Sequence, residues 1–376
     1  MNNPKKILFL SGTRADFGKI KSLIQILEEH SGFEVFIFVT GMHLLRKYGY
    51  TLIEIERCGF RNIETFKNHT HETTMDLTLA KTIRGLSAYV KKCKPDMIVI
   101  HGDRVESLAG AIVGSVNNIL VTHIEGGEIS GTIDELIRHS TSKLSHLHFV
   151  SNRIAKERLI QMGEIADSIF VIGSPDVDIM FSKKLPNLKE VKRYYQIPFE
   201  KYAIVMFHPV TTEMKNIEKH VKNFVSALLD DSHNYIIIFP NNDLGSSVIL
   251  KNYEKLKTNS RFKIFPSLRF EYFLTLLKNA QFIIGNSSAG VREAPYYSLP
   301  IINIGTRQKN RDIQADIINT NYSKKEISKS LKIIDKYRVI KTSNNFGKGN
   351  SAKLFLKLLL KKTVWKLNHQ KQFRDL

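Results

Sequence analysis

Short, almost wholly apolar runs recur along this chain, and each is followed by a stretch with helical spacing. "KILFL", "EVFIFV", "DMIVIHG", "ILVTHI", "LHFV" and "IFVIG" read as strands, with helices between them such as Asp16–Glu29 and Leu77–Lys92. Strands without polar alternation, separated by helices, are buried on both faces, which points to a parallel sheet. Around "GSPDVDIMFSKKLPNLKEVKRYYQIPFEK" the pattern relaxes and prolines gather, as in a linker. The alternation then resumes with "YAIVMF", "YIIIFP", "FKIFP", "FIIGN" and "PIINIG". Two doubly wound, Rossmann-like α/β domains in tandem are implied, over residues 1–178 and 179–376. From about Ser328 the chain reads as helical and basic, and a final helix of this kind can return to the first domain.

Composition bounds the function classes. A chain of 376 residues with 42% hydrophobic content can bury a large core, more in keeping with two domains than one. Its two cysteines, Cys58 and Cys93, show no metal or disulfide spacing, so a reducing, cytoplasmic setting is expected. The apolar run in "MNNPKKILFLSG" is too brief for a signal peptide, and no run is long enough to span a membrane. The net charge of +20 raises nucleic acid or an anionic membrane surface as partners. The lysines are scattered, however, and no nucleic-acid recognition motif is present. Solvated faces and an anionic small substrate account for them better. The densest basic stretch, "KLFLKLLLKKTVWKLNHQKQF", reads as an amphipathic helix.

In open parallel sheets ligands bind beyond the carboxyl ends of the strands, so the residues following each strand carry the functional reading. "SGTRADFGK" follows the first strand and offers Arg14 and Lys19. It is not a Walker P-loop: five residues separate Gly12 from Gly18, and Ile20 follows Lys19. It remains a different phosphate loop or a plain strand-to-helix turn. "HGDR" places Asp103 and Arg104 at the next strand end, where Asp103 either caps the following helix or serves chemistry. "HIEGGEISGTIDELIRHS" places Glu125 at the same edge. Its "TIDE" reads as a capping box of Thr132 and Glu135, which leaves Asp134 at the helix start. Such acids suit proton transfer at carbon; a magnesium site is the alternative, although the spacing matches no metal motif.

The second half supplies His208 at a strand end, Asn241 for a base or sugar, and "GNSSAGVREAP". In the last of these, Ser287, Ser288 and Gly290 precede a helix, a setting for phosphate. Glu293 lies a turn further on, suited to ribose hydroxyls, and "GTRQKNR" offers Arg307 and Arg311. Phosphate and ribose chemistry in one half and acids in the other, facing a shared cleft, suggest a nucleotide-sugar enzyme.

These motifs, with "FHPVTTE", "FPNND" and "RFEYF", resemble the hydrolysing UDP-N-acetylglucosamine 2-epimerases of sialic acid biosynthesis, over about residues 5–312. The chain is also similar to the non-hydrolysing bacterial 2-epimerases and to the epimerase half of the bifunctional animal enzyme. The resemblance implies a GT-B fold, two Rossmann-like domains with a cleft between them. It implies conversion of UDP-N-acetylglucosamine to UDP and N-acetylmannosamine without metal or nicotinamide cofactor. By the same resemblance Asp103, Glu125 and Asp134 match the catalytic acids, and His208 a catalytic-site histidine near the diphosphate. Arg14, Lys19, Arg104, Asn241, Ser287, Ser288, Gly290, Glu293 and Arg307 fall on nucleotide-holding motifs. A homodimer or homotetramer is expected, with a hinge near residues 175–200. The rival readings are a GT-B glycosyltransferase, a nucleic-acid-binding protein, a non-hydrolysing epimerase and a hydrolysing epimerase of a UDP-diacetamido-trideoxyhexose in legionaminic acid synthesis.

Overall fold

Alternate residues of the first strand, β1 (Lys5–Ser11), enter two different cores. Ile7 and Phe9 pack on one face, with Val35, Ile37, Met97 and Val99. Leu8 and Leu10 pack on the other, with Phe38, Ile98, Ile100 and Val121. Successive side chains of a strand point to opposite faces, so a sheet covered on both sides demands apolar residues at every position. That demand produces the uninterrupted runs in the sequence.

The computed structural model describes residues 3–69, 74–130, 132–309, 317–337 and 345–374. The chain divides into two compact units. Unit 1 takes residues 1–128, 134–182 and 345–376; unit 2 takes residues 129–133 and 183–344.

Unit 1 contains β1, β2 (Phe33–Val39), β3 (Asn62–Thr65), β4 (Met97–His101), β5 (Leu120–Ile124), β6 (Leu147–Val150) and β7 (Ile169–Val171). They form one sheet in the order β3-β2-β1-β4-β5-β6-β7, with every pairing parallel. From β1 the chain moves outward to β2, and from β4 it moves the other way to β5. The loops after β1 and β4 therefore diverge and leave a crevice at their carboxyl ends. The helix Arg14–Glu28 buries Phe17, Ile20, Leu23, Ile24 and Leu27, one stripe at helical spacing, against β1 and β2.

The basic stretch near the C-terminus is only partly helical. Its helix covers Ser351–Leu359, followed by a single 3-10 turn at Val364–Lys366. Ala352, Phe355, Leu359 and Val364 join the same core as the helix Arg14–Glu28. Phe355 is fully buried, with its ring 4.8 Å from that of Phe149 in an edge-on contact. Beyond it, Lys371 Nζ donates to Lys143 O (2.8 Å) and Ser145 O (2.7 Å) and to the buried Glu164 (2.5 Å). The amphipathic helix that the sequence suggests is therefore interrupted, and past it the lysine satisfies carbonyls at the end of the helix Ile133–Leu144. Phe355→Ala should cost unit 1 about 3–5 kcal/mol of stability, read by urea unfolding.

Unit 2 contains β8 (Ala203–Met206), β9 (Tyr235–Ile238), β10 (Phe262–Phe265), β11 (Ile283–Gly285), β12 (Ile301–Ile304) and β13 (Ile318–Thr320), again all parallel, in the order β10-β9-β8-β11-β12-β13. Its diverging loops follow β8 and β11. The approach there needs glycine: at Gly285 (φ +141°) a Cβ would lie 2.0 Å from Met206 O. Among the described residues no helix is long and apolar enough to cross a membrane.

Candidate active site

At the divergence point of unit 1, the turn after β1 is short. Thr13 caps the helix, its Oγ1 accepting from Asp16 N–H at 3.1 Å, and the helix begins at Arg14. Gly18 and Lys19 therefore lie inside the helix, on its buried side, and not in a phosphate-cradling loop. Lys19 Nζ is 3.3 Å from Glu125 Oε2 and 3.7 Å from Asp176 Oδ2. Arg14 lies 3.8 Å from Glu54. Gly12 backs onto Glu106, whose carboxyl carbon would lie 3.1 Å from a Cβ there. Glu106, 2% exposed, accepts from Asn68 Nδ2 at 3.3 Å and lies 3.5 Å from Arg104 Nε.

Glu125 follows β5 with φ +65°, a left-handed conformation that is costly for a residue bearing a Cβ. The turn continues through Gly127 (φ +73°), where a Cβ would lie 2.1 Å from Ala155 O. Ser174 donates a hydrogen bond to Glu125 Oε1. His101 Nε2 lies 3.1 Å from Oε2, and His101 Nδ1 lies 3.5 Å from Asp16 Oδ1. Burial pushes the His101 imidazole down, but Glu125 and Asp16 outweigh it and raise it to about 9. The result is a buried imidazolium at neutral pH, held between two carboxylates. Asp16 is itself held below the usual carboxylate range: burial opposes this, and His101 and Arg104 prevail.

A second cluster forms around Arg138, which is 2% exposed. It donates to the Asp103 carboxylate and, at 3.1 Å, to Glu128 O. The helix after β4 starts at Val105 with Arg104 in the cap position, so Asp103 stands one residue outside it and pairs with Arg138. Asp134 sits one turn before Arg138 on the helix Ile133–Leu144. Burial opposes the Arg138 charge, while Asp103, Glu128, Asp134 and Glu125 together hold its pKa above the ordinary arginine value. Of the three acids named from the sequence, Asp103 pairs directly with this buried guanidinium, and Asp134 and Glu125 add to the negative field on it. Glu135 lies 3.4 Å from His139 on the helix surface. His123 Nε2 bonds Gly102 O at 2.8 Å and its Nδ1 meets Ser142 Oγ at 3.0 Å, tying the Asp103 turn to β5 and this helix.

In unit 2, His208 follows β8 and is 6% exposed. Its N–H donates to Asn286 Oδ1 at 2.6 Å and its carbonyl accepts from Asn286 Nδ2 at 2.9 Å. Asn241 N–H donates to His208 Nδ1 at 3.0 Å, which assigns the proton of a neutral ring to Nε2. The Asn241 side chain donates to Asp243 at 3.1 Å. Ser287 and Ser288 follow β11, and Ser287 Oγ accepts from Ala289 N–H at 3.3 Å. The helix behind them spans only Ala289–Arg292, so individual N–H and O–H groups, not a long macrodipole, set the polarity of this turn. Gly290 N–H returns to Ser287 O at 3.1 Å. Glu293 is 4% exposed. Arg307, in the loop after β12, donates to Asn286 O at 3.4 Å. Arg311 lies outside the described residues. Among the described residues no group of three or more His, Cys, Asp or Glu is placed to hold a metal ion.

Sequence reasoning passed over His101, Asp16, Arg138, Glu106, Asn286 and the pair Ser174 and Asp176. Two carried a signal: His101 ends a strand beside Asp103, and Arg138 stands four residues after Asp134, one helical turn. Ser174 and Asp176 lay in what read as linker.

The family model described as UDP-N-acetylglucosamine 2-epimerase matches residues 25–360. The chain belongs to that family. It is 46% identical over 99% of both chains to a UDP-N-acetylglucosamine 2-epimerase of Neisseria meningitidis serogroup B. It is 33% identical to the hydrolysing UDP-N,N'-diacetylbacillosamine 2-epimerase of Legionella pneumophila, over 94% of this chain and 95% of that one. Among solved structures, the UDP-GlcNAc 2-epimerase of Methanocaldococcus jannaschii in complex with UDP-GlcNAc and UDP matches with a TM-score of 0.80 and 25% identity, over 94% of this chain and 99% of that one. The two parallel-sheet α/β units are those of the GT-B-type epimerases.

Proposed function

We propose that the protein is a hydrolysing UDP-N-acetylglucosamine 2-epimerase, converting UDP-N-acetylglucosamine and water to N-acetylmannosamine and UDP as the first step of sialic acid synthesis. The observation that carries this reading is that Asp103, paired with Arg138, and Glu125, paired with Lys19 and His101, both follow strands at the carboxyl edge of the unit 1 sheet, with Asp134 adding to the field on Arg138. The 46% identity to the meningococcal enzyme supports the substrate.

The C2 proton of the sugar is barely acidic. As the C1–O bond to UDP breaks, positive charge develops at C1 and acidifies C2. A carboxylate takes the C2 proton while the electron pair forms the C1–C2 double bond and UDP departs, leaving 2-acetamidoglucal. Water then adds its oxygen to C1, and a proton returns to C2 from the opposite face. Asp103, Glu125 and Asp134 are assigned the proton transfers and the stabilisation of charge at C1. His208, Arg14, Lys19 and Arg104, with the turn at Ser287, Ser288 and Gly290, are assigned the charge on the departing diphosphate. Asn241, Glu293 and Arg307 are assigned the nucleoside and its phosphates.

The test is a proton NMR time course with UDP-N-acetylglucosamine in D₂O, without acceptor or added metal. Free UDP and N-acetylmannosamine deuterated at C2 are expected; release of UDP without an acceptor excludes a transferase. UDP-N-acetylmannosamine as product would instead mark a non-hydrolysing epimerase. The likeness to the Legionella enzyme favours one second reading, a UDP-diacetamido-trideoxyhexose substrate. Turnover of that sugar but not of UDP-N-acetylglucosamine would establish it.

A further inference from the structure

Three strand-end loops of unit 2 close on one another in a ring of hydrogen bonds. The loops after β8 and β11 are joined by the paired His208–Asn286 bonds, at 2.6 and 2.9 Å. The loops after β11 and β12 are joined at Asn286 O, which accepts from Gln308 Nε2 at 2.8 Å and from Arg307 at 3.4 Å. The third link returns from β12 to β8: Thr306 Oγ1 donates to Glu213 Oε1 at 2.5 Å. Around this link the Tyr322 ring lies flat on His220, 3.7 Å away and 5° from parallel. His220 Nδ1 is 3.9 Å from the other Glu213 oxygen. Tyr322 also abuts Gly305, whose φ of +74° and missing Cβ admit the ring. Burial, and then the facing Glu213, push the Tyr322 phenol up to about 12, so it is a neutral donor beside the carboxylate. His208, Glu213, His220 and Tyr322 line one small depression, about 10 Å³ in volume.

We propose that Glu213 is a positioning residue that sets affinity for a nucleoside diphosphate: by holding Thr306, it fixes the backbone that carries Arg307 beside the Ser287–Ser288 turn. The inference rests on the proposed function, in which Arg307 meets UDP. A carboxylate beside a diphosphate repels it, so Glu213 acts through Thr306 and not by touching the ligand. A charge-assisted bond is roughly twice as strong as the neutral bonds around it.

Glu213→Ala and Thr306→Val are each expected to weaken UDP binding about tenfold by titration calorimetry, the cost of one lost bond to a charged group. KM should rise in step while kcat stays within about threefold, since the chemistry is assigned elsewhere. Both changes break the same bond, so the double variant should bind no worse than the weaker single one. Glu213→Gln keeps an acceptor for the Thr306 hydroxyl and should restore most of the affinity. Amide hydrogen exchange at residues 305–309 without ligand reads the positioning directly. Exchange should be faster in Glu213→Ala and near wild type in Glu213→Gln. Unchanged UDP affinity in Glu213→Ala, or additive losses in the double variant, would overturn the proposal. If the wild-type protein binds no UDP, the nucleotide-sugar reading fails separately. Exchange at 305–309 then decides whether Glu213 holds the loop, and unchanged rates reject it.

Discussion

Asp103→Asn, Glu125→Gln and Asp134→Asn should each lower kcat by roughly 10²–10⁴-fold while UDP still binds, the usual cost of removing a general acid or base. Each change is nearly isosteric, so the loss reports charge and proton affinity more than shape. The three variants should still differ in stability. Glu125→Gln places an amide where Lys19 and His101 now face a carboxylate, and leaves both cations poorly matched. Asp103→Asn takes the carboxylate from Arg138 but leaves it Glu128 O and the field of Asp134. Asp134→Asn leaves the Asp103–Arg138 pair in place and should perturb folding least. Glu135→Gln is the control: its partner is His139 on the helix surface, and surface pairs contribute little, so kcat should change less than about twofold. Steady-state rates with urea unfolding curves, and UDP affinity by calorimetry, separate chemistry from stability. A variant that turns over at near the wild-type rate would remove that carboxylate from the mechanism.

The sequence and the structure agree best where a strand is buried on both faces. Every central strand was legible, because a position that meets a core on either side must be apolar. The strands that escaped notice are β3, "NIET", and β13, "INT", which lie at the sheet edges, where polar residues are tolerated. The extent of the C-terminal helix was not legible either. "KLFLKLLLKKTVWK" keeps helical spacing past Leu359, yet the helix stops there and the chain beyond carries Lys371 to the carbonyls of Lys143 and Ser145. The carboxylates of the site were legible because they follow strands at the edge where ligands bind. Their partners were not. In the sequence Lys19 only adds positive charge to a strand-end turn; the helix that starts at Arg14 carries it to Glu125. Ion pairs across a hundred residues, such as Lys19 with Glu125, leave no local pattern in a single sequence.

His101 yields the second large effect, and its sign is fixed by linkage. The imidazole rises from 6.5 to about 9 on folding, so its contribution to stability is fully present below pH 6.5 and is lost as pH rises through about 9. The groups facing it are Asp16 and Lys19 from the helix after β1 and Glu125 from the turn after β5. The contribution is roughly 3 kcal/mol at most, from the size of the shift. His43 and His123 act in the opposite sense. Burial holds them down at about 4 and about 3, so they cost stability as pH falls below 6.5. Stability should therefore peak near pH 6.5 and decline on both sides. In His101→Gln the alkaline decline between pH 6.5 and 9 should flatten while the acid decline persists, by urea unfolding at a series of pH values. The same ionisation should give kcat/KM a descending limb near pH 9, because deprotonating His101 leaves Glu125 and Asp16 without the cation between them. Parallel stability curves for wild type and variant would show that the imidazole titrates alike in the folded and the unfolded chain.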